Sequence, residues 1–264
     1  MIANNEMGLD GGRFGNQLFQ YASLYGIAKK NNYQYGIPYQ HRNSNEYYDM
    51  CLSDCFDNLG ALDSSFSTFS NYIRDEEWVF NSDFFKIQDD TNLCGYFQAE
   101  KYFSHCKYEV KEQFEFNLSI KEKANSFFVD GSNLISIHLR LGDFQKHKTH
   151  FPVCNSDYYR KALSKLPNDC DIAVFSDDIP TTKSMLEDVL KNRKVIYPNS
   201  NNKFVDMHLM SRCSYHVIAN SSFSWWGAWL SNSKKIIAPK EWVGIDNRLY
   251  GKHYDAYCES WEVL

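Results

Sequence analysis

Two side chains at the end of one predicted strand have types suited to chemistry on a phosphate. The strand covers residues 134–140, and side chains alternate along it, so His138 and Arg140 share a face about 6.6 Å apart at roughly 3.3 Å per residue. Ligands of open α/β sheets bind beyond the carboxyl ends of the strands, and an arginine buried there without a partner is costly. These positions therefore suit a phosphate and a base, the alternative being a salt bridge between Arg140 and Asp143.

Two carboxylates follow the next predicted strand, 172–175. Asp177 and Asp178 are adjacent, and at a strand end they could contact a ribose or the edge of a base. Acidic residues at the start of a helix also cap it and interact favourably with its dipole. Both interpretations stay open from the sequence.

A run of small polar residues, 220–222, joins another predicted strand to a helix that starts at Ser222. Ser221 and Ser222 can present hydroxyl and amide donors to an anion, and the helix dipole adds to the attraction. The three tryptophans of this helix are expected to pack it against the core rather than to stack on a ligand.

A glycine-rich turn precedes the first predicted helix, 16–30. Gly11, Gly12 and Gly15 allow close approach of the backbone and expose amide donors to an anion. Their spacing is neither that of a P-loop nor that of a dinucleotide-binding fingerprint. A plain glycine-rich turn is therefore the alternative.

Strands and helices alternate regularly from about residue 130 to 239. The predicted strands are 134–140, 172–175, 194–197, 215–219 and 235–238. Short apolar strands separated by helices predict parallel pairing with right-handed crossovers, as in a Rossmann-like half. Residues 1–125 are less regular and predict a second α/β domain, with the linker at 121–131 and a ligand between the domains.

Composition argues against several classes of protein. Acidic residues outnumber basic ones, 33 to 28, and the net charge is −5, so a surface that coats nucleic acid is not expected. The longest apolar run, 225–230, is too short to cross a membrane, and the first residues lack the basic and apolar regions of a signal peptide. Eight cysteines without paired zinc spacing indicate reduced thiols in a cytoplasmic protein, and no metal site is expected.

Five segments together resemble a known enzyme family. They are GGRFGNQLFQYA at 11–22, GYFQAEKYF at 95–103, IHLRLGD at 137–143, FSDD at 175–178 and the stretch 206–229. Their order resembles that of the α-1,2-fucosyltransferases, and the resemblance extends over about residues 11–240. The run ANSSFSWWGAWL at 219–230 is very specific to that family, whereas the core α-1,6-fucosyltransferases and the protein O-fucosyltransferases share only a sparser pattern.

The resemblance implies an α/β, GT-B-like fold with two Rossmann-like halves facing a cleft, the C-terminal half being the more regular. An acceptor-side domain would cover 1–125 and the domain that binds the nucleotide sugar 126–240, with the segment 241–264 packing back on the first domain. The implied reaction is transfer of L-fucose from GDP-fucose to the 2-hydroxyl of a terminal β-galactoside, with inversion and without a metal or other cofactor. The expected partners are GDP-fucose and a galactose-terminated glycan, in the cytoplasm or at the inner membrane surface.

The functional residues of the family transfer to matching positions of this sequence. By this resemblance Arg140 would bind the β-phosphate and stabilise the departing diphosphate. His138 and Asp206 would contact the guanine, and Asp177 or Asp178 would lie near the nucleoside.

Two turns complete the donor site that the resemblance implies. Ser221 and Ser222 would hold phosphate oxygens. Gly12, Gly15 and Asn16, at the start of the first helix, would line the same cleft from the other domain.

The acceptor hydroxyl must lose a proton during transfer. Asp143 is the first candidate for the base because it follows the strand that delivers Arg140, and His150 is the second.

The family usually has a second arginine where Leu141 stands, which leaves one guanidinium for the phosphates. Two alternatives follow, namely an enzyme that uses another nucleotide sugar and a glycan-binding module with weakened catalysis.

Overall fold

Two parallel β-sheets form the framework of the chain. The computed structural model describes residues 1–9, 12–39, 51–77, 79–128, 130–247, 249–250 and 255–264. The chain divides into two compact units, Met1–Asn117 with His253–Cys258 and Leu118–Lys252 with Glu259–Leu264. One sheet belongs to each unit, which confirms the predicted α/β class.

The first unit has five short strands along its described residues. They are β1 (Ile2–Ala3), β2 (Tyr35–Ile37), β3 (Leu62–Asp63), β4 (Asn71–Arg74) and β5 (Thr91–Cys94). All pair in parallel, in the order β3-β2-β1-β5-β4.

Helix α1 (Phe14–Asn31) follows β1, and α2 (Lys107–Gln113) comes late in the first unit. The helix predicted at 16–30 is thus confirmed. It ends where Asn32 adopts a left-handed conformation, with φ 56°, and donates its N–H to the last carbonyls of the helix. Asparagine is one of the few residues besides glycine that take this conformation at a helix end.

The second unit has six strands along its described residues. They are β6 (Leu134–Leu139), β7 (Asp171–Ser176), β8 (Val195–Ile196), β9 (Tyr215–Val217), β10 (Lys235–Ala238) and β11 (Glu262–Val263). They pair in parallel, in the order β11-β10-β9-β6-β7-β8. All five strands predicted for this part of the chain are present, and their parallel pairing is confirmed.

Helices connect these strands. They are α3 (Leu118–Asn125), α4 (Gly142–Lys146), α5 (Ser156–Leu163), α6 (Ile179–Leu186), α7 (Lys203–Ser211) and α8 (Ser222–Trp229). Throughout the described ranges, no helix has both the length and the apolar character that crossing a bilayer requires.

The strand order of the second sheet reverses beside β6. The chain continues from β6 to β7 and β8 on one side, whereas β9 and β10 lie on the other side. Ligands of open α/β sheets bind at such a reversal, beyond the carboxyl ends of the strands. The segments that follow β6 and β9 are therefore the places where a ligand site is expected.

A hydrophobic core fixes β6 in this position. Ile135, Ile137 and Leu139 of β6 are fully buried, and Leu141, which follows the strand, is 1% exposed in the same cluster. A guanidinium at position 141 would be buried there at high cost. The apolar side chain that departs from the family pattern is therefore part of the core of the second unit.

The division into units differs from the predicted domains in two places. Helix α3 packs on α7, so residues 118–125 belong with the second unit. Near the end of the chain β11 pairs with β10, and Glu262 of β11 forms ion pairs with Lys165 and Lys235. Only the part of the segment 241–264 around Asp255 groups with the first unit, where Asp255 accepts the backbone N–H of Phe80 at 2.9 Å.

Candidate active site

Arg140 follows β6 directly and is held between two carboxylates. Its Nη1 lies 2.8 Å from Asp177 Oδ2 and its Nη2 lies 2.6 Å from Asp143 Oδ1. The guanidinium carbon is 5.8 Å from the ring centre of Phe144. A guanidinium has five N–H donors, and its side chain is 23% exposed, so these two ion pairs do not exhaust its capacity to bind an anion.

The salt bridge with Asp143 that the sequence offered as the alternative is therefore present. The salt bridge does not exclude a phosphate-binding role for Arg140, because the two carboxylates also hold the guanidinium in place at the strand end. Groups held in place before a ligand arrives lose less freedom on binding it. The phosphate-binding role of Arg140 stays a prediction.

Asp177 supports both the side chain and the backbone of the Arg140 segment. Its Oδ1 accepts the N–H of Leu141 at 2.9 Å, while its Oδ2 pairs with Arg140. A Cβ on Gly142 would lie only 2.6 Å from Asp177 Oδ2. Glycine at position 142 thus allows the carboxylate to approach the turn that follows β6.

Asp178 has a different role from its neighbour. It caps α6, where its carboxylate accepts the backbone N–H of Thr181 at 3.1 Å and the hydroxyl of Thr181 at 2.6 Å. The hydrogen bond from the Thr181 hydroxyl lowers the pKa of Asp178 below its ordinary value. Of the two interpretations left open by the sequence, helix capping describes Asp178. Asp177 instead pairs with Arg140, and the contact of either carboxylate with the nucleoside stays a prediction.

His138 lies in β6, two residues before Arg140, and is 5% exposed. Burial, and secondarily the charge of Arg140, lower the pKa of His138 to about 3, so the imidazole is neutral at physiological pH. Its ring lies 5.5 Å from that of Phe223, centre to centre. Within the described chain, Nδ1 of His138 is buried and has no hydrogen-bond partner.

The segment after β9 begins α8. Ser221 is the N-cap residue, and its side chain makes no capping hydrogen bond to the helix. Ser222 is the first helical residue, and both serines are partly exposed. The segments with Arg140 and with these serines therefore follow β6 and β9, the strands that flank the reversal of the sheet.

The tryptophans of α8 pack on one another, as the sequence predicts. Trp225 lies 4.9 Å from Trp226 and 6.1 Å from Trp229, measured between ring centres. Trp225 also lies 5.2 Å from Trp261. All four rings are buried, and they stabilise the helix that starts at the serines.

Asp206 lies in the first turn of α7, which is capped by Asn202. Its carboxylate accepts the hydroxyl of Ser200 at 2.6 Å. Burial raises the pKa of Asp206 to about 6, against a smaller lowering effect of the Ser200 hydrogen bond. A carboxylate that is this costly to ionise is a feature typical of functional sites.

His150, the second candidate base, lies in an exposed turn. Its backbone carbonyl accepts the N–H of Gly244 at 2.8 Å. Its side chain is in contact with no other predicted site residue along the described chain. The structure thus places Asp143 beside Arg140 and leaves His150 apart from it.

The predicted residues at the start of α1 belong to the first unit. The side chain of Gln17 donates to the carbonyl of Gly12 at 2.7 Å, and Gln98 donates to Oδ1 of Asn16 at 2.9 Å. Gly15 lies buried within α1. Gly11 of the same turn lies outside the described residues.

Sequence reasoning missed four aromatic residues around the second-unit site. Phe144 and Phe223 contact Arg140 and His138, and Tyr158 and Tyr159 of α5 bond to carbonyls at strand ends. Phe144 lies in α4, two residues after that helix begins, whereas Arg140 precedes the helix, so helical spacing does not predict their contact. The tyrosine contacts depend on the packing of α5 on the sheet, which no local pattern indicates.

A cluster of metal ligands is not found among the described residues, where no three His, Cys, Asp or Glu side chains gather around one point.

Two parallel sheets, with polar groups beyond the carboxyl ends of the strands that flank a reversal in the second sheet, agree with the GT-B-like fold that the family resemblance implies. The sequence model of Glycosyl transferase family 11 matches residues 5–264. The chain therefore belongs to glycosyltransferase family 11, and the predicted family is confirmed.

Named relatives come from bacteria and mammals. An α-1,2-colitosyltransferase of Escherichia coli is 33% identical over 66% of this chain and 63% of that protein, so the match spans less than two thirds of the relative. The O-antigen biosynthesis glycosyltransferase WbnK of Escherichia coli is 26% identical over 90% of this chain and 94% of that protein. The galactoside 2-α-L-fucosyltransferase SEC1 of Bos taurus is 24% identical over 95% of this chain and 71% of that protein.

Solved structures of fucosyltransferases share the fold. The NodZ α-1,6-fucosyltransferase soaked with GDP-fucose matches with a TM-score of 0.58 at 14% identity, over 93% of this chain and 98% of that chain. POFUT1 in complex with GDP matches with a TM-score of 0.54 at 10% identity, over 90% and 96%. These likenesses confirm the GT-B-like fold class.

Proposed function

We propose that this glycosyltransferase moves L-fucose from GDP-fucose to the 2-hydroxyl of a terminal β-galactoside, with inversion and without a metal. The observation that supports this most directly is Arg140, fixed by Asp143 and Asp177 at the carboxyl end of β6. Family membership and the α-1,2-fucosyltransferases among the relatives support the choice of sugar and linkage.

In this proposal Arg140 stabilises the leaving group. The acceptor oxygen forms a bond to the anomeric carbon while the bond from that carbon to the β-phosphate oxygen breaks, so negative charge grows on the diphosphate. Donors aimed at charge that develops in the transition state accelerate a reaction rather than merely tighten binding. Arg140 can provide such donors from a planar guanidinium that is already oriented.

The phosphate oxygens also bond to Ser221 and Ser222 in this proposal. A helix N-terminus concentrates backbone N–H groups and a positive dipole end on an anion. Both serines are partly exposed at the start of α8. The family resemblance also implies contact of Gly12, Gly15 and Asn16 with the donor, but the proposal made here does not depend on that contact.

Asp206 and His138 recognise the guanine. Guanine presents two adjacent N–H donors on its pairing edge, and a carboxylate can accept both. Asp206 is ionised above its pKa of about 6, while the neutral His138 ring has an unpartnered Nδ1. This role would explain why a carboxylate that is unfavourable to ionise occupies α7.

Asp143 is the base in this proposal and takes the proton of the acceptor hydroxyl. Its carboxylate already bonds to Arg140, so proton removal and charge stabilisation occur at neighbouring groups. His150 is the alternative base. The two are separated by pH profiles of turnover for Asp143→Asn and His150→Ala, since only loss of the true base abolishes the acidic limb of the profile.

A second candidate function is transfer of colitose by the same site. The colitosyltransferase relative supports it, being 33% identical over the aligned part. Colitose is L-fucose without one ring hydroxyl, so a pocket that hydrogen-bonds that hydroxyl would discriminate strongly between the donors. The kcat/KM ratio for GDP-fucose over GDP-colitose decides which sugar is used.

The test of the proposed function is release of GDP from GDP-fucose across a panel of β-galactosides, with the product linkage determined by NMR. Calorimetry with GDP, UDP and CMP tests the nucleotide separately, and GDP is expected to bind best. Hydrolysis or transfer unaffected by removal of Arg140, or preferential binding of UDP or CMP, would contradict the proposal. Binding of glycans without GDP release would support a glycan-binding module instead.

A further inference from the structure

Two adjacent tyrosines of α5 bond to the carboxyl ends of three strands of the second sheet. The hydroxyl of Tyr159 donates to the carbonyl of His138, at the end of β6, at 2.9 Å. The hydroxyl of Tyr158 lies 2.7 Å from the carbonyl of Ile218 and 3.2 Å from that of Ile237, at the ends of β9 and β10. These are the strands that lead into the candidate site.

A thiol and an amide extend these contacts. Cys154 lies near the hydroxyl of Tyr159, so that each group influences the pKa of the other, and the Sγ of Cys154 donates to Oδ1 of Asn220 at 3.7 Å. The Nδ2 of Asn220 donates to the carbonyl of Trp242 at 3.0 Å. The segment that delivers Arg140 and the segment that begins α8 are thus joined through buried and partly exposed side chains.

Tyr159 and Asn220 are too buried to touch a substrate, whereas Tyr158 and Cys154 are partly exposed. Tyr159 is 1% exposed and Asn220 is 3% exposed. Burial holds the pKa of Tyr159 well above its usual range, so its hydroxyl stays protonated and keeps donating. Any effect of Tyr159 and Asn220 on catalysis must therefore act through the groups that they hold, and the bonds of Tyr158 to the carbonyls of Ile218 and Ile237 give it the same kind of role.

We infer that Tyr158 and Tyr159 are positioning residues of the donor site. Tyr159 fixes the end of β6 and hence the place of Arg140, while Tyr158 fixes the end of β9 and hence the place of Ser221 and Ser222. The inference rests on the proposed function, because it assigns the leaving-group contact to Arg140 and the phosphate contacts to the serines.

The two tyrosines should affect different kinetic constants. Arg140 acts mainly in the transition state, so misplacing it lowers kcat, whereas misplaced serines weaken the binding of the diphosphate. Removing the hydroxyl of Tyr159 or Tyr158 takes one donor from the carbonyl of His138 or Ile218, which costs free energy and lets the strand end shift. Small displacements of catalytic groups are sufficient to slow a reaction markedly.

The experiment compares Tyr159→Phe and Tyr158→Phe, each of which removes a hydroxyl and keeps the ring. Ser214→Ala is the matched control, because its hydroxyl donates to the carbonyl of Ser132 at 2.8 Å at the amino end of the same sheet. Turnover of GDP-fucose, the Kd for GDP by calorimetry and thermal unfolding are measured for all three. Tyr159→Phe should lower kcat about tenfold with little change in Kd, and Tyr158→Phe should weaken GDP binding about fivefold.

The inference would be wrong if Tyr159→Phe and Tyr158→Phe had the same kcat and the same Kd for GDP as the control Ser214→Ala. A change in unfolding temperature alone would not rescue it. Should Tyr159→Phe fail to fold, Cys154→Ala removes the thiol between Tyr159 and Asn220 and should lower kcat about threefold. An unchanged kcat in that variant would count equally against the inference. A wild-type protein that binds no GDP would instead contradict the proposed function.

Discussion

Polar side chains at the start of α1 bond to neutral partners within the first unit, whereas those at the end of β6 form charged pairs in the second. Gln98 donates to Asn16, and both are neutral amides. Arg140 lies between Asp143 and Asp177, and the exposed fractions of these three side chains are 23%, 36% and 27%. Both regions were predicted to bind the donor, yet their electrostatic character differs.

This difference in charge indicates which groups stabilise the fold and which can act on a ligand. The Oδ1 of the partly buried Asn16 already accepts from Gln98, so it gains less from a ligand than an acceptor that has no such bond. A partly exposed guanidinium at a reversal of strand order keeps donors and a positive charge directed toward an anion. The predictions that follow test whether activity depends on the charged region and stability on the neutral one.

The largest effect is expected from Arg140→Ala. Loss of a donor aimed at the developing charge should lower kcat by roughly 10²–10³. Arg140→Lys should restore little of it, because an ammonium cannot replace the planar fork that meets two carboxylates. Single-turnover kinetics with GDP-fucose provides the measurement.

Arg160→Ala is the control for Arg140→Ala. Arg160 pairs with Asp157 three residues before it on α5, in an exposed ion pair of the same second unit. Exposed pairs contribute little, so turnover should stay near that of the wild type. Similar kcat values for Arg140→Ala and Arg160→Ala would show that activity does not depend specifically on the charged region after β6.

Asp177→Asn is expected to have the next largest effect. The change keeps an oxygen for the N–H of Leu141 but removes the charge that holds Arg140. Turnover should fall on the order of 30-fold, since a misplaced catalytic group is costly. Asp178→Asn is the matched control, because asparagine caps a helix as well as aspartate does, and it should change neither turnover nor unfolding temperature appreciably. Equal losses in the two variants would mean that charge near β7, not the contact with Arg140, is what matters.

Asp206→Asn should stabilise the fold at high pH and weaken the binding of the donor. The folded-state pKa of Asp206, about 6, lies above its ordinary value of 3.8. The carboxyl therefore stabilises the fold most below that ordinary value and loses its contribution as the pH rises through about 6. Asparagine does not ionise, so the variant should be more stable than the wild type by about 3 kcal/mol at pH 8 and by less than about 1 kcal/mol at pH 4.

The same variant, although more stable, should bind GDP more weakly. An amide presents only one acceptor to the two N–H donors of guanine, so the Kd for GDP should rise roughly tenfold. Denaturant unfolding at the two pH values and calorimetry with GDP provide the measurements. A variant that is more stable at pH 8 and binds GDP normally would place Asp206 outside the donor site.

The sequence predicted the second unit far better than the first. Its strands are apolar runs between helices, and β7 and β10 lie within one residue of the predicted 172–175 and 235–238. In the first unit β1 is only two residues long, and β4 alternates between exposed and partly exposed residues. Such strands exist because neighbouring strands pair with them, and no local pattern indicates that pairing.

The candidate site shows the same limit at the level of single side chains. The sequence pattern predicted a strand over 134–140, and the structure places His138 within β6 and Arg140 directly after it. The pattern could not decide which of Asp177 and Asp178 faces the arginine, because the backbone turns between β7 and α6 at those two residues. That choice depends on tertiary geometry, as does the contact between Tyr159 and the carbonyl of His138.

The smallest effect on activity is expected from Asn16→Ala, which tests the neutral side of the comparison. The variant removes the acceptor of Gln98 in the first unit, so the free energy of unfolding should fall by about 1 kcal/mol. The Kd for GDP should change by less than about twofold, because this amide oxygen is already bonded within its own unit. Asn31→Ala, which removes the amide that donates to the carbonyl of Ile27 at 2.9 Å near the other end of α1, is the control for lost stability. A tenfold or greater loss of GDP affinity in Asn16→Ala alone would show that the neutral turn contacts the donor, as the family resemblance implied, and that charge is not what distinguishes the two regions.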